Sequence, residues 1–69
     1  MSEIEKVKEQ VKGIDANMDC NDEAATQLSA IPSMFRGMAL KSIIAKAQEE
    51  GLTTIDKDLV DRVNKERMG

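Results

Sequence analysis

Arg36 is the side chain of this sequence best suited to recognising another molecule. It follows Phe35, the single aromatic residue, about one turn into a helical segment that Pro32 opens. A guanidinium is a rigid fork of donors that can bind a carboxylate through two hydrogen bonds. Arg36 is therefore a candidate clamp for a carboxylate on a partner or ligand. The alternative, which the sequence favours, is an internal ion pair with Asp22, Glu23 or an acid of the last helix.

Cys20 is the single cysteine, and it stands in the polar, turn-rich segment 15–22 (DANMDCND). Its neighbours Asp19 and Asp22 should raise the pKa of the thiol and make it a weaker nucleophile. The chain has no histidine, which excludes a Cys–His nucleophilic pair. A lone thiol can form an intermolecular disulfide or supply one ligand to a shared cluster, but an incidental loop cysteine is the simpler interpretation.

The acidic residues of the same segment superficially resemble a calcium-binding loop. Such a loop needs a glycine at its sixth position and a glutamate at its twelfth. Counted from Asp15, those positions hold Cys20 and Thr26. We therefore predict no metal site here.

Two neighbouring carboxylate pairs, Glu49 with Glu50 and Asp56 with Asp58, invite an acid–base interpretation. Acid–base pairs need a buried cleft that separates their two pKa values. These residues lie at predicted helix ends in a chain too small for a deep cleft. We assign no catalytic and no cofactor-binding residue, and we expect no enzyme activity beyond an accessory part in an oxidoreductase.

Length, charge and cysteine content limit the function further. The 69 residues make one small domain at most, and the net charge is −3 without a basic cluster. Nucleic-acid binding depends on many lysine and arginine contacts to phosphates, so no nucleic-acid partner is expected. No apolar run approaches the ~20 residues that cross a bilayer. One cysteine cannot make the internal disulfides of small secreted domains, and the acidic N-terminus is unlike a secretory leader, so we expect a cytoplasmic protein.

Apolar spacing predicts an all-α fold, a small bundle of three to four helices around a central helix. The first stripe consists of Ile4, Val7, Val11, Ile14 and Met18. It predicts an N-terminal amphipathic arm over residues 1–18, either packed on the domain or free to bind, and residues 19–69 make the domain itself. Gly13 weakens the helix beyond Lys12.

The central helix is predicted from Pro32 to Glu50, after a short helix over Glu23–Ala30 that Asn21 or Asp22 caps. Its wide apolar face comprises Met34, Phe35, Met38, Leu40, Ile43, Ile44 and Ala47. Core packing is the default interpretation of Met34, Phe35 and Met38, with partial exposure to a partner as the alternative. Gly37 suggests a second helix crossing closely, and Gly51 is a typical C-terminal stop.

A last helix is predicted from Lys57 to about Met68, after the extended segment 53–55. Asp56 should cap it, and Ile55 should pack against Val60 as a hydrophobic staple. The residues expected to be buried are Leu59, Val60 and Val63.

Residues 23 to 66 resemble a known family. The resemblance is carried by Ala25-x-x-Leu28-x-x-Ile31-Pro32-x-x-Phe35-Arg36, Ile43 with Ile44, Ala47-x-x-x-Gly51 and Ile55-Asp56-x-x-Leu59-Val60. This order resembles the PCP-reductase (PCP_red) domain family, the small C-terminal domain of the B subunit of light-independent protochlorophyllide reductase. Family members usually have Trp near the place of Cys20 and Thr at that of Asp56. The resemblance implies a helical appended domain, whereas the family's redox chemistry and iron–sulfur cluster belong to the large catalytic portion.

The leading hypothesis is a small interaction module, without catalysis of its own, that acts on a larger protein. The resemblance suggests a nitrogenase-like reductase or another redox complex as that partner. One alternative is a detached domain of light-independent protochlorophyllide reductase that contributes to chlorophyll biosynthesis; a weaker one is a DNA-binding helical domain. The predicted partner-binding residues are Arg36, Phe35, Met34, Met38, Ile4, Val7 and Val11. The chain itself should be a monomer or weak homodimer.

Overall fold

The computed structural model describes residues 2–68 and, in the helix that ends the chain, side chains up to residue 66. The elements follow in the order α1 (Glu3–Ile14), β1 (Asp19–Cys20), α2 (Asp22–Ser29), α3 (Ser33–Glu49), β2 (Thr54–Ile55) and α4 (Lys57–Met68). The predicted small helical bundle is confirmed, with a short two-stranded parallel sheet added to it. Within the described residues, no helix has the length and apolar character to cross a membrane.

One hydrophobic core joins the helices and the sheet. Its buried members are Val7, Val11, Met18, Cys20, Ala24, Ala25, Leu28, Leu40, Ile43, Ile44, Ala47, Ile55, Leu59, Val60 and Val63. Because Val7 and Val11 are fully buried, α1 is packed on the domain and shares its core. Of the two alternatives for the N-terminal arm, packing on the domain therefore holds for the described helix α1. The predicted stripe ends early, since Ile14 is exposed and Met18 enters the core from beyond the helix.

The parallel sheet replaces part of the predicted linker 15–22. Asp19 pairs with Thr54 and Cys20 with Ile55, and the Asp19 amide donates to the carbonyl oxygen of Thr53 at 2.9 Å. Cys20 is only 7% exposed, so the interpretation as an incidental loop cysteine is wrong. An apolar side chain is needed there because this position of the strand lies in the hydrophobic core.

Each strand ends at the N-cap of the helix that follows. The Asn21 side chain accepts from the amide of Ala24 at 2.9 Å, and the Asp56 side chain from that of Leu59 at 2.8 Å. The Asp56 cap was predicted, and Asn21 was one of two candidates for the other; both satisfy amides that lack partners within the first helical turn. The sheet thus sets where α2 and α4 begin.

A Schellman motif ends α3 at Gly51, where the sequence predicted that the helix stops. Gly51 has a φ of +73°, which is the left-handed conformation that glycine adopts without strain. The amide of Leu52 donates to the carbonyl oxygen of Ala47 at 2.8 Å, and that of Gly51 to Gln48 at 3.1 Å. These bonds satisfy the last carbonyls of α3 and turn the chain towards β2.

Candidate interaction surface

The rotation of α3 about its axis is fixed by the residues that it buries. They are Arg36, Ala39, Leu40, Ile43, Ile44 and Ala47. Successive residues of a helix turn by about 100°, so residues 34, 38 and 45 lie on the side opposite residue 40. The first half of α3 therefore carries apolar side chains on two faces, of which only one can contact the core.

Three large apolar side chains on that outer side form what we call the α3 patch: Met34, Phe35 and Met38. They are 79%, 58% and 65% exposed, respectively. The expectation that they pack in the core is wrong, and the alternative of exposure holds for all three. The spacing of Arg36, Leu40, Ile43 and Ala47 was the available signal, because it describes a complete inward face without them.

Gly37 and Lys41 border the α3 patch. Apart from its two chain neighbours and the helix backbone around it, nothing in the described chain lies within 4 Å of the position that a β-carbon on Gly37 would take. The expected close crossing of another helix is therefore absent within the described domain. Lys41 is exposed, and none of the described ion pairs includes it.

The predicted partner-binding residues of α1 pack against the rest of the domain instead. Val7 and Val11 are fully buried, and Ile4 is a partly buried residue packed against the core. A partner cannot reach Val7 or Val11 in this fold. The amphipathic stripe is therefore explained by the domain's own packing.

Arg36 is buried, with 6% of its surface exposed. Its Nη2 donates to the backbone carbonyl oxygens of Ser29 at 3.1 Å and Ile31 at 3.0 Å. Nη1 reaches the side chain of Gln10 at 3.4 Å and lies 3.5 Å from a carboxylate oxygen of Glu3. The guanidinium thus joins α1, the end of α2 and the turn into α3.

These contacts correct the sequence-based assignment of Arg36 partners. An internal role was favoured, but Asp22, Glu23 and the acids of α4 do not provide it. Glu3 is the paired acid, and its side chain is 57% exposed, so solvent weakens that ion pair. Backbone carbonyls are the closer acceptors, and a partner's carboxylate would have to displace them.

A shallow depression of about 420 Å³ lies between α1 and the start of α3, lined by Lys6, Glu9, Gln10, Ser33 and Arg36. It contains charges of both signs, and its arginine is already bonded to the protein. Among the described residues, no group of three acidic, cysteine or histidine side chains is placed to hold a metal ion. The depression offers little for binding a defined ligand.

The thiol of Cys20 is held in its neutral form. Burial raises its pKa to about 11, and the nearby Asp22 adds to the rise, whereas Lys8 opposes it. The sequence attributed the rise to neighbouring acids alone, but loss of solvent is the larger cause. Sγ lies 3.6 Å from the carbonyl oxygen of Asn21. A thiol in this state is a poor nucleophile.

Three residues of the two carboxylate pairs, Glu50, Asp56 and Asp58, make structural contacts. Glu50 accepts two hydrogen bonds from Arg62, at 2.8 and 3.0 Å, and they lower the pKa of its carboxyl group. Asp58 lies 3.2 Å from the Nε of the same arginine, and Asp56 caps α4. All four carboxylate residues are exposed, so no buried cleft encloses either pair.

Fold and surface together describe a small helical domain with one exposed apolar surface on its longest helix. Compared with protein-family models, with curated proteins and with solved structures, the chain matches none of them.

Proposed function

We propose that this protein is a non-catalytic interaction module that docks on a larger protein through the α3 patch. The observation that carries the proposal is the exposure of Met34, Phe35 and Met38 side by side on one helix. Adjacent exposed apolar side chains of this size typically mark binding surfaces. Methionine adapts its shape to different partners, and an aromatic side chain supplies a large buried area.

The chemistry of the other candidate groups supports the same proposal. Arg36 is engaged by backbone carbonyls, Cys20 is buried as a neutral thiol, and Glu50 is paired with Arg62. The functional surface that remains is apolar. A single cysteine also suits a reducing compartment, so we propose that the module acts in the cytoplasm.

Site-specific photo-crosslinking tests the proposal. A photoreactive residue at position 38 is compared in the wild-type chain, in Phe35→Ser and in Ile14→Ser, within native lysate. Ile14 is also an exposed apolar residue but lies on α1, so Ile14→Ser controls for non-specific hydrophobic binding. We expect one defined crosslinked product that Ile14→Ser retains and Phe35→Ser loses. Crosslinks that are diffuse, or that both variants retain equally, would contradict docking through the α3 patch.

The resemblance to the PCP-reductase domain supports a narrower proposal, in which the larger protein is a nitrogenase-like reductase or another redox complex. The chain would then be a detached domain needed for pigment synthesis in the dark. Deletion in a pigmented host should abolish chlorophyll formation in darkness, and Phe35→Ser should reproduce that loss. Unchanged dark pigment would exclude this partner while leaving docking by the α3 patch open.

A further inference from the structure

We propose that the occupant of the α3 patch is a single amphipathic helix of another protein, with carboxylates flanking its apolar stripe. This inference rests on the proposed function and specifies the chemistry of the partner. Four features of the described residues support it: the size of the patch, the absence of a usable sheet edge, the position of Gly37 and the charge around it.

The size of the α3 patch suits one helix. Protein–protein interfaces of standard size involve about 20–30 residues on each side, whereas three large side chains are exposed together here. A helix docks through a few anchors spaced at i, i+3, i+4 and i+7. An extended peptide would need a free strand edge, and β1 and β2 are two residues long each.

Gly37 gives the partner backbone a place to approach. Glycine inside a helix lowers stability relative to alanine, and nothing in the described domain packs against this one. Ser33 precedes it by one turn, so a row of small residues runs beside Met34 and Met38. Small residues let two helix backbones come close while larger side chains on either side interlock.

The charge around the α3 patch selects an acidic partner. Of the three basic residues in the helix Ser33–Glu49, Arg36 is buried and Lys46 lies 3.5 Å from a carboxylate oxygen of Glu66. The third, Lys41, takes part in none of the described ion pairs. Lys41 is exposed one turn beyond Gly37. Carboxylates beside the partner's apolar stripe would meet Lys41, and opposite charges at an interface favour the correct partner and orientation.

The same charges argue against a second copy of this chain. A two-fold contact presents the same surface from both copies. The first acidic residue of α3 is Glu49, at its far end. In a two-fold contact through the α3 patch, the facing α3 helix would therefore offer Lys41 no carboxylate before its far end.

A displayed peptide library tests the inference with a defined probe. Peptides of about 16 residues, between four and five helical turns, carry leucine at i, i+3, i+4 and i+7. Their flanking positions vary equally among Glu, Lys, Gln and Ala. The full chain is the bait, and Phe35→Ser is the control bait. We expect enrichment on the wild-type chain alone, with Glu exceeding Lys at the flanking positions.

Purified peptides then measure separately how much the flanking charges and the backbone approach at Gly37 contribute to binding. A Glu-flanked peptide should bind the wild-type chain about two- to five-fold more tightly than its Lys-flanked counterpart, the range of one exposed ion pair. Lys41→Glu should reverse that preference. Gly37→Gln should weaken binding at least about tenfold by blocking the backbone approach. Circular dichroism checks that each variant keeps its helical content.

The possible results separate the inference from the proposed function. Enrichment that depends on Phe35 but shows no acidic preference, or that tolerates Gly37→Gln, overturns the acidic helix and leaves docking by the α3 patch intact. No enrichment over Phe35→Ser overturns the inference, whereas the photo-crosslinking result decides the proposed function independently. Dimerisation of the free chain that Phe35→Ser abolishes would assign the α3 patch to a second copy and overturn the inference.

Discussion

The Nη2 atom of Arg36 donates to the carbonyl oxygen of Ile31 at 3.0 Å and to that of Ser29 at 3.1 Å. The C-terminal end of a helix carries partial negative charge and carbonyls without partners. No basic residue occupies the last turn of α2. A guanidinium from the following helix therefore supplies the positive charge and the donors that α2 lacks, which explains why a charged residue is buried here.

Replacing Arg36 by alanine should lower the free energy of unfolding by about 2–4 kcal/mol, because two partly buried carbonyls would lose a charged donor. In Arg36→Glu, a carboxylate would face the same two carbonyls. Because domains of this size have only a few kcal/mol of stability, that variant should not fold. Urea denaturation followed by circular dichroism measures the effect. Glu3→Gln is the matched control: its ion pair is solvent-exposed, so its cost should stay within about 1 kcal/mol. Equal losses for both variants would mean that the ion pair, not the carbonyls, stabilises Arg36.

Phe35→Ser should leave the free energy of unfolding within about 0.5 kcal/mol of wild type, because Phe35 lies on the surface. Leu40→Ala, on the opposite side of the same helix, removes a fully buried side chain and should cost about 2–5 kcal/mol. Chemical denaturation of both variants tests which face of α3 supports the fold. A large loss for Phe35→Ser would mean that this side chain packs within the domain.

The sequence predicted the helices well because their ends are defined by local chemistry. Asp56 was assigned as a cap, Gly51 as a stop, and Leu59, Val60 and Val63 as buried residues, and all were confirmed. Of the two candidate caps of α2, Asn21 and Asp22, the structure shows Asn21. Capping and chain reversal involve residues a few positions apart, so a short stretch of sequence contains the necessary information. The amphipathic stripe of α1 was predicted correctly at Val7 and Val11, whereas Ile14 is exposed.

The candidate site was harder to predict because it depends on which face of α3 meets the core. Apolar residues occur on both sides of the first half of this helix, so the positions of Met34 and Phe35 alone did not separate core from surface. The predicted face counted apolar residues only, so Arg36 was not recognised as a member of the inward row that includes Leu40. The sheet escaped prediction for a related reason: β1 and β2 are two residues long each and far apart in sequence.

Gly37 and Gly51 should respond to alanine in opposite directions. Gly37 has helical backbone angles and open space around it, so Gly37→Ala should stabilise the isolated chain by about 0.5–1 kcal/mol. Gly51 has a φ of +73°, where a β-carbon costs about 1–2 kcal/mol, so Gly51→Ala should destabilise it. Thermal unfolding of the two variants side by side provides the measurement. A destabilising Gly37→Ala would indicate a close contact within the domain.

The thiol of Cys20 should react slowly in the folded protein. Burial limits access to Sγ and raises its pKa to about 11, so little thiolate is present at neutral pH. With a thiol-specific disulfide reagent at pH 7, we expect a rate set by unfolding and a large increase in urea. Rapid labelling of the folded chain would show that β1 opens readily and exposes Cys20.

Stability should fall in acid and stay nearly constant between about pH 5 and 8, because the chain has no histidine to titrate there. Hydrogen bonds from Gln48, Arg62 and Gln27 lower the pKa of Asp15, Glu50 and Asp61, respectively. A carboxyl group whose pKa is lower in the folded state stabilises the fold above its unfolded pKa of about 4. That contribution is lost as the pH drops through the folded-state pKa.

Urea titrations at a series of pH values, on wild type and Glu50→Gln, test this dependence at one position. Glutamine keeps the size of the side chain but cannot ionise, so the variant should be less stable at pH 7. The two proteins should converge near pH 2, where Glu50 is protonated. If the difference persisted in acid, the shape of the side chain rather than its charge would account for the stabilising contact with Arg62.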